Sequence, residues 1–227
     1  MNWKNGVRNF LVYSALTLGI IGCSNNITPN VTTKQGSNPQ TLIGYRLDVF
    51  GNRLCMASKP HCLSDILGWA RFNIDSEKDS GDDYWKSPFF TLKDKKGDCE
   101  DVALMNVYFL EKLGYEPRLL LIGTNHEVGK KKAHAVALFE EEKGGKVHYG
   151  YLEKIYGVFA EHDSVKSLLD NMNTLQKLEG DDKYVDYEIV DLNSWNVDWR
   201  TYKGNLKDVY EQVTKKQEKK SFLFSFF

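Results

Sequence analysis

The chain has 227 residues, with 30 Lys and Arg against 31 Asp and Glu and a formal net charge of −1. A near-neutral chain supplies no basic field, which excludes a nucleic-acid binder acting by broad phosphate neutralisation. With 41% hydrophobic and 27% charged residues, wholesale disorder is excluded as well, and the length suits one domain or at most two small ones. Four cysteines are too few for a disulfide-built scaffold.

The first elements are an address. Lys4 and Arg8 precede the apolar run Phe10 to Ile21, which ends in Gly22-Cys23. Charge, apolar run and small residue in that order predict a secretory signal peptide over residues 1–22, too short in its apolar part to span a bilayer comfortably. Ile20-Ile21-Gly22-Cys23 resembles the bacterial lipobox, whose cysteine is diacylated and becomes the mature N-terminus. By that resemblance Cys23 is the lipid attachment site; the alternative is an ordinary secretory cleavage beside an incidental cysteine. Ser24 in place of Asp then implies delivery to the outer membrane, facing the periplasm of the bacterial cell envelope. Several acyl chains anchor stably where one does not. Cleavage removes two cations and no acid, moving the net charge from −1 to −3. Ser24 to Pro39 is rich in Asn, Thr, Ser, Pro and Gly and lacks apolar periodicity, so residues 23–41 are expected to be a flexible tether. A single folded domain is expected over residues 42–213.

With Cys23 assigned to lipid, Cys55, Cys62 and Cys99 remain, in a compartment where thiols are usually paired. Cys55 and Cys62 enclose a short segment containing Pro60, and a local disulfide between them is expected. A metal site from Cys55, His61 and Cys62 is the weaker alternative, because the ligands are adjacent and no second pair follows. Cys99 is then the odd cysteine, either buried and inert or reactive.

Leu63 to Phe72 is predicted helical, and Asp75 to Asp83 is read as a solvated acidic turn whose spacing does not match a calcium loop. Gly97 breaks the chain and Asp98 opens a helix to Leu113, with Val102, Met105, Phe109 and Leu113 at helical spacing. Strands are predicted at Arg118 to Ile122, Ala133 to Phe139 and Val147 to Leu152, with Glu140 to Gly145 as a hairpin connection. A helix over Ser164 to Leu178, a strand over Tyr184 to Leu192 and a helix over Leu206 to Val213 complete the chain. No internal repeat is present.

Chemistry-bearing residues concentrate between Cys99 and Glu153. Cys99 falls in the first turn of its helix, where backbone N–H groups and the helix dipole favour a thiolate. His134 lies on a strand able to pack across that terminus and accept the thiol proton, and Glu153, one hairpin later, is the carboxylate placed to orient the imidazole. Gly97-Asp98-Cys99-Glu100-Asp101, preceded by Asp83-Tyr84-Trp85-Lys86-Ser87-Pro88 and followed by Ala133-His134-Ala135-Val136, resembles the bacterial transglutaminase-like cysteine peptidase group. More broadly, it resembles the transglutaminase-like domain of the papain-type fold. The similarity covers about a third of the chain, residues 83–159. It implies an α+β fold with the nucleophile helix packed on an antiparallel sheet, Cys99 as nucleophile, His134 as general base and Glu153 as the third member, where the family normally carries Asp. The implied activity is that of a lipid-anchored cysteine hydrolase, peptidase- or amidase-like, acting on a peptide or protein of the envelope through an acyl-enzyme. The alternative is a transglutaminase-like lipoprotein that serves as a binding module without turnover.

Some relatives bind calcium through acids flanking the cysteine, here Asp98 and Glu100; the preferred reading is no cofactor, with Asp98 as N-cap and Glu100 and Asp101 complementing the dipole. Uncompensated, these carboxylates raise the thiol pKa, which favours calcium. His126, His148 and His162 are read as surface groups, Trp85, Tyr149 and Tyr151 as packing residues, and Glu140 to Glu142 and Asp181-Asp182 as solvated turns. The basic and aromatic tail, residues 214–227, either lies on an anionic membrane surface or frays.

Overall fold

The computed structural model describes residues 59–124 and 133–224. Cys23, Cys55, His126, the expected signal peptide and the tether lie outside them, as does the side chain of Cys62, so the expected lipid site and disulfide do too.

Helix α1 spans Lys59–Asn73, and its Leu63, Ile66 and Ala70 face inward at helical spacing, followed by buried Ile74. Strand β1, Asp75–Ser76, pairs in parallel with β2, Lys96–Gly97, and helix α2, Pro88–Asp94, lies between them in sequence. Pro88 suits the first helical turn, where its missing N–H has no intrahelical role.

Helix α3, Cys99–Lys112, is buried at every residue from Glu100 to Leu110. Its apolar spacing predicts one buried stripe, but the whole circumference is enclosed, by α1 and α2 on one side and the main sheet on the other. Each fully buried Leu or Phe there contributes about 1.5–3 kcal/mol.

The main sheet comprises β3 (Arg118–Thr124), β4 (Ala133–Lys143), β5 (Lys146–Leu152), β6 (Gly157–His162) and β7 (Tyr184–Val190). The order is β6-β5-β4-β3-β7, antiparallel throughout. Side chains alternate along β4: Ala135, Ala137 and Phe139 join the core around α3, whereas Val136 and Leu138 join a second core under helix α4, Val165–Leu175. Helix α4 presents Val165, Leu168, Leu169 and Met172 to that core, and its N-cap Ser164 accepts a hydrogen bond from the Ser167 N–H. Gly144 and Gly145, at φ 62° and 74°, close the β4–β5 hairpin in a turn that needs left-handed backbone at both positions. Helix α5, Leu206–Phe224, ends the described chain. Among the described residues no helix is long and apolar enough to cross a membrane.

The α+β class agrees with the sequence expectation. Differences arise where long-range packing decides. Strand β4 runs on to Lys143, so Glu140 to Glu142 belong to a strand and not to a turn: Glu140 is paired with Arg118 and Glu141 accepts from the Tyr115 hydroxyl. Helix α2 and strand β6 carry too little periodicity to be read from sequence. Helix α5 continues past Val213 to Phe224.

Candidate active site

Gly97 sits where α3 begins because nothing larger fits. A Cβ there would stand 2.6 Å from the Asp101 Cβ, well inside contact distance. Asp98 occupies the N-cap position in extended backbone, yet its side chain makes no capping bond, and its Oδ1 is buried without a partner. The expected capping role is therefore wrong. Next comes Cys99, half-buried, its Sγ donating to Glu100 Oε2 at 3.0 Å and accepting the Ala135 backbone N–H. Burial first, then the charge and hydrogen bond of Glu100, push the thiol well above its ordinary range; the Ala135 N–H opposes them and the Asp98 charge adds to them. Against the helix dipole, which favours a thiolate, burial and then these carboxylates favour the thiol.

Ala135 adjoins His134, so the sulfur is docked against the strand that carries the imidazole. His134 Nε2 lies 2.6 Å from Glu153 Oε2. With the carboxylate as acceptor, that contact assigns a proton to Nε2 and, in the neutral ring, leaves Nδ1 as the acceptor. Glu153 is 8% exposed, and its backbone is held from both directions, its N–H donating to Tyr156 O at 2.9 Å and its C=O accepting from Asn106 Nδ2 at 3.3 Å. Its other carboxylate oxygen, Oε1, accepts from Gln176 Nε2 at 3.4 Å, and Gln176 Oε1 accepts the Tyr184 hydroxyl at 3.1 Å. The Tyr184 ring stacks on His134 with centroids 5.8 Å apart and planes 5° from parallel.

On the other side of Cys99 the loop that sequence assigns to a solvated turn folds inward. Asp79, Asp83 and Asp98 each offer a carboxylate oxygen, and these oxygens lie within 4.8 Å of one another. The Tyr84 N–H donates to Asp79, and Lys207 Nζ is 3.2 Å from Asp83. Burial first, and then Glu100, Asp101 and Asp79, push the Asp98 carboxyl up to about 8. Hard oxygen donors, a buried unpartnered carboxylate oxygen and excess negative charge fit a calcium-type cation. Of the expected pair Asp98 and Glu100, only Asp98 belongs to this group; the Glu100 carboxylate accepts from the Cys99 thiol. Asp101, expected only to complement the helix dipole, is 1% exposed and takes the Lys86 N–H at 2.6 Å and the Lys86 ammonium at 3.4 Å. Burial nevertheless holds its carboxyl up at about 6, against the lowering effect of Lys86.

Trp85, stacked on Tyr210 in the core around α3, and Tyr151, buried in the core under α4 with Tyr149 packed against it, are packing residues as expected. His148 and His162 are half-buried, not surface groups, and His162 Nδ1 faces Ser167 Oγ at 3.2 Å. A polar cleft lined by Glu111, Tyr115, Arg118, Glu140 and Asp191 takes in neither Cys99 nor His134. The residues that sequence reasoning missed are Asp79, Asp83, Gln176 and Tyr184. For the first two the available signal was the density of acids just before the Trp85-Lys86 segment; for the last two there was none.

No family model matches the chain, and no curated protein matches it. Among solved structures it aligns with calcium-bound LapG of Legionella pneumophila at 16% identity, over 80% of this chain and 92% of that one, with a TM-score of 0.41. EGTA-treated LapG aligns at 17% identity over 79% and 90%, also at 0.41. A candidate cysteine protease from Cytophaga hutchinsonii aligns at 17% identity over 49% of this chain, with a TM-score of 0.37, and the alignment spans only 37% of that protein's length. Scores this low carry no weight for fold or chemistry, which stand on the geometry above.

Proposed function

We propose that the chain is a cysteine hydrolase of the transglutaminase-like, papain-type kind, peptidase- or amidase-like, held in the bacterial cell envelope by lipid on Cys23. Its substrate is a peptide or protein of that compartment. The observation that carries the reading is the 2.6 Å contact between His134 Nε2 and Glu153 Oε2, beside a sulfur docked on the next residue of the same strand.

The proposed chemistry runs through Cys99, His134 and Glu153, with the thiol turning from Glu100 to the imidazole as substrate binds. His134 Nδ1 takes the Cys99 proton as Sγ attacks the substrate carbonyl carbon, and Glu153 stabilises the imidazolium that forms. The tetrahedral intermediate collapses with breakage of the C–N bond, and the imidazolium proton goes to the departing amine. A thioester on Cys99 remains. His134 then deprotonates water, the hydroxide attacks the thioester carbonyl, and the C–S bond breaks to release a carboxylic acid and restore the thiol. Hydrolysis is favoured over cross-linking because water is abundant at an envelope site. Asp79, Asp83 and Asp98 would hold a calcium ion, whose charge offsets the carboxylate field that keeps Cys99 protonated.

One observation favours a second reading, a binding module without turnover: Cys99 Sγ donates to Glu100 Oε2 at 3.0 Å, and burial together with that carboxylate pushes the thiol above its ordinary range. Iodoacetamide labelling of the full chain with calcium present, mapped by mass spectrometry across pH, separates the two. Rapid labelling of Cys99 below neutral pH, slowed by about 10²-fold in His134→Ala, is expected of the hydrolase. Slow labelling that is equal in both proteins overturns it.

A further inference from the structure

We infer that Gln176 and Tyr184 are positioning residues that hold the His134–Glu153 pair in working orientation before any substrate arrives; the inference rests on the reading of Cys99, His134 and Glu153 above. Glutamate has one more rotatable bond than the aspartate that the resemblance leads one to expect, so a Glu at this position needs an additional anchor. Gln176 supplies it. An ionised carboxylate only accepts and a phenol hydroxyl donates, so a single amide orientation satisfies both neighbours: Nε2 to Glu153 Oε1 at 3.4 Å and Oε1 from Tyr184 at 3.1 Å. With Oε2 given to His134, both carboxylate oxygens are engaged.

Tyr184 acts on the imidazole plane. Its ring lies parallel to His134 at 5.8 Å, blocking rotation towards that face and offering a π surface to the imidazolium formed when Cys99 loses its proton. The ring's own position is fixed by buried Asn173, whose side chain accepts from the Tyr184 N–H at 2.8 Å and donates to its C=O at 3.0 Å. Burial first, then the Glu153 and Cys99 charges, push the Tyr184 hydroxyl up to about 12, so it remains a donor to Gln176. These contacts bind the end of α4 and the start of β7 to the strand pair that bears the site. Torsional freedom is removed from Glu153 and His134 together, which leaves Nδ1 in a fixed direction.

The test compares Gln176→Met, Tyr184→Phe, Tyr184→Leu and His134→Ala in the full chain with calcium present. Cys99 alkylation is followed against pH, and the ring tautomer of His134 is read from ¹⁵N shifts. Gln176→Met and Tyr184→Leu are expected to lose about tenfold of the low-pH labelling rate, within the roughly 10²-fold that misplacing a reacting group costs. Both should raise the Nδ1–H tautomer fraction, with Tyr184→Phe showing a smaller change in the same direction. Should Tyr184→Leu fail to fold, Gln176→Met and Tyr184→Phe decide the matter. Wild-type profiles and tautomers in the Gln176 and Tyr184 variants, alongside slow labelling in His134→Ala, overturn the inference and leave the proposed nucleophile and base standing. Wild-type labelling in His134→Ala removes both.

Discussion

Cys99 has two unlike neighbourhoods. Towards the sheet, His134 Nε2, both carboxylate oxygens of Glu153 and that residue's backbone N–H and C=O all have partners within the polypeptide. Towards the acidic loop, Asp98 Oδ1 is buried with none, and Asp79, Asp83 and Asp98 crowd their charges together. The first neighbourhood is complete as the chain folds. The second leaves carboxylates close together without a cation among the described residues beside Asp98 Oδ1, and burial first, then the nearby carboxylates, push the neighbouring thiol above its ordinary range.

The contrast can be broken in four places. Lys86, its side chain 17% exposed, is the cation paired with Asp101. Lys86→Met keeps the alkyl stem and deletes the charge, and urea unfolding is expected to show a loss near the lower end of the 3–5 kcal/mol typical of a buried pair left with one member, about 3 kcal/mol, since the Lys86 N–H still reaches Asp101. Unchanged stability would mean the acidic side is not under electrostatic load. Calcium at about 100 times its dissociation constant should stabilise the chain by about 2.7 kcal/mol. Thermal unfolding with and without the ion checks this, and Asp79→Asn or Asp83→Asn should remove most of the gain; a gain that survives both substitutions places the ion elsewhere. On the strand side, Glu153→Ala strands the His134 Nε2–H, and about 1–3 kcal/mol of stability should go with it, measured by the same unfolding. The smallest change is expected from Asp98→Asn without cation. At pH 7 its effect should stay within about 0.5 kcal/mol, because a carboxyl pushed up to about 8 is already largely neutral there and the amide replaces it at nearly the same size. A loss equal to that of Glu153→Ala would erase the distinction between the two sides.

What sequence discloses follows the same division. The start of α3 is legible because Gly97-Asp98 interrupts the chain just before an apolar helical run. The meeting of His134 and Glu153 is legible because Gly144-Gly145 announces the hairpin that brings β4 and β5 side by side. Both signals are local. The inward fold of Asp79 and Asp83 is not local: residues 83–85 are bound to a segment far along the chain, with Asn205 Nδ2 donating to Asp83 O at 3.0 Å, the Trp85 N–H donating to Asn205 Oδ1 at 2.9 Å and the Leu206 N–H donating to Trp85 O at 3.0 Å. Acids in a turn look solvated until such partners are known. Gln176 and Tyr184 escape notice for the same reason, since their roles arise only when α4 and β7 close on the strands.

The bonds joining residues 83–85 to Asn205 and Leu206 also set an order of events in the life of the chain. Closing so long a loop is entropically expensive and awaits synthesis of the partner segment. The hairpin that aligns His134 with Glu153 forms between near neighbours and closes a short loop at little entropic cost. The acidic corner cannot close until α5 has begun to emerge. In a chain cut before Asn205, His134 and Glu153 can still meet, but the acidic corner beside Cys99 lacks the ties that Asn205 and Leu206 supply.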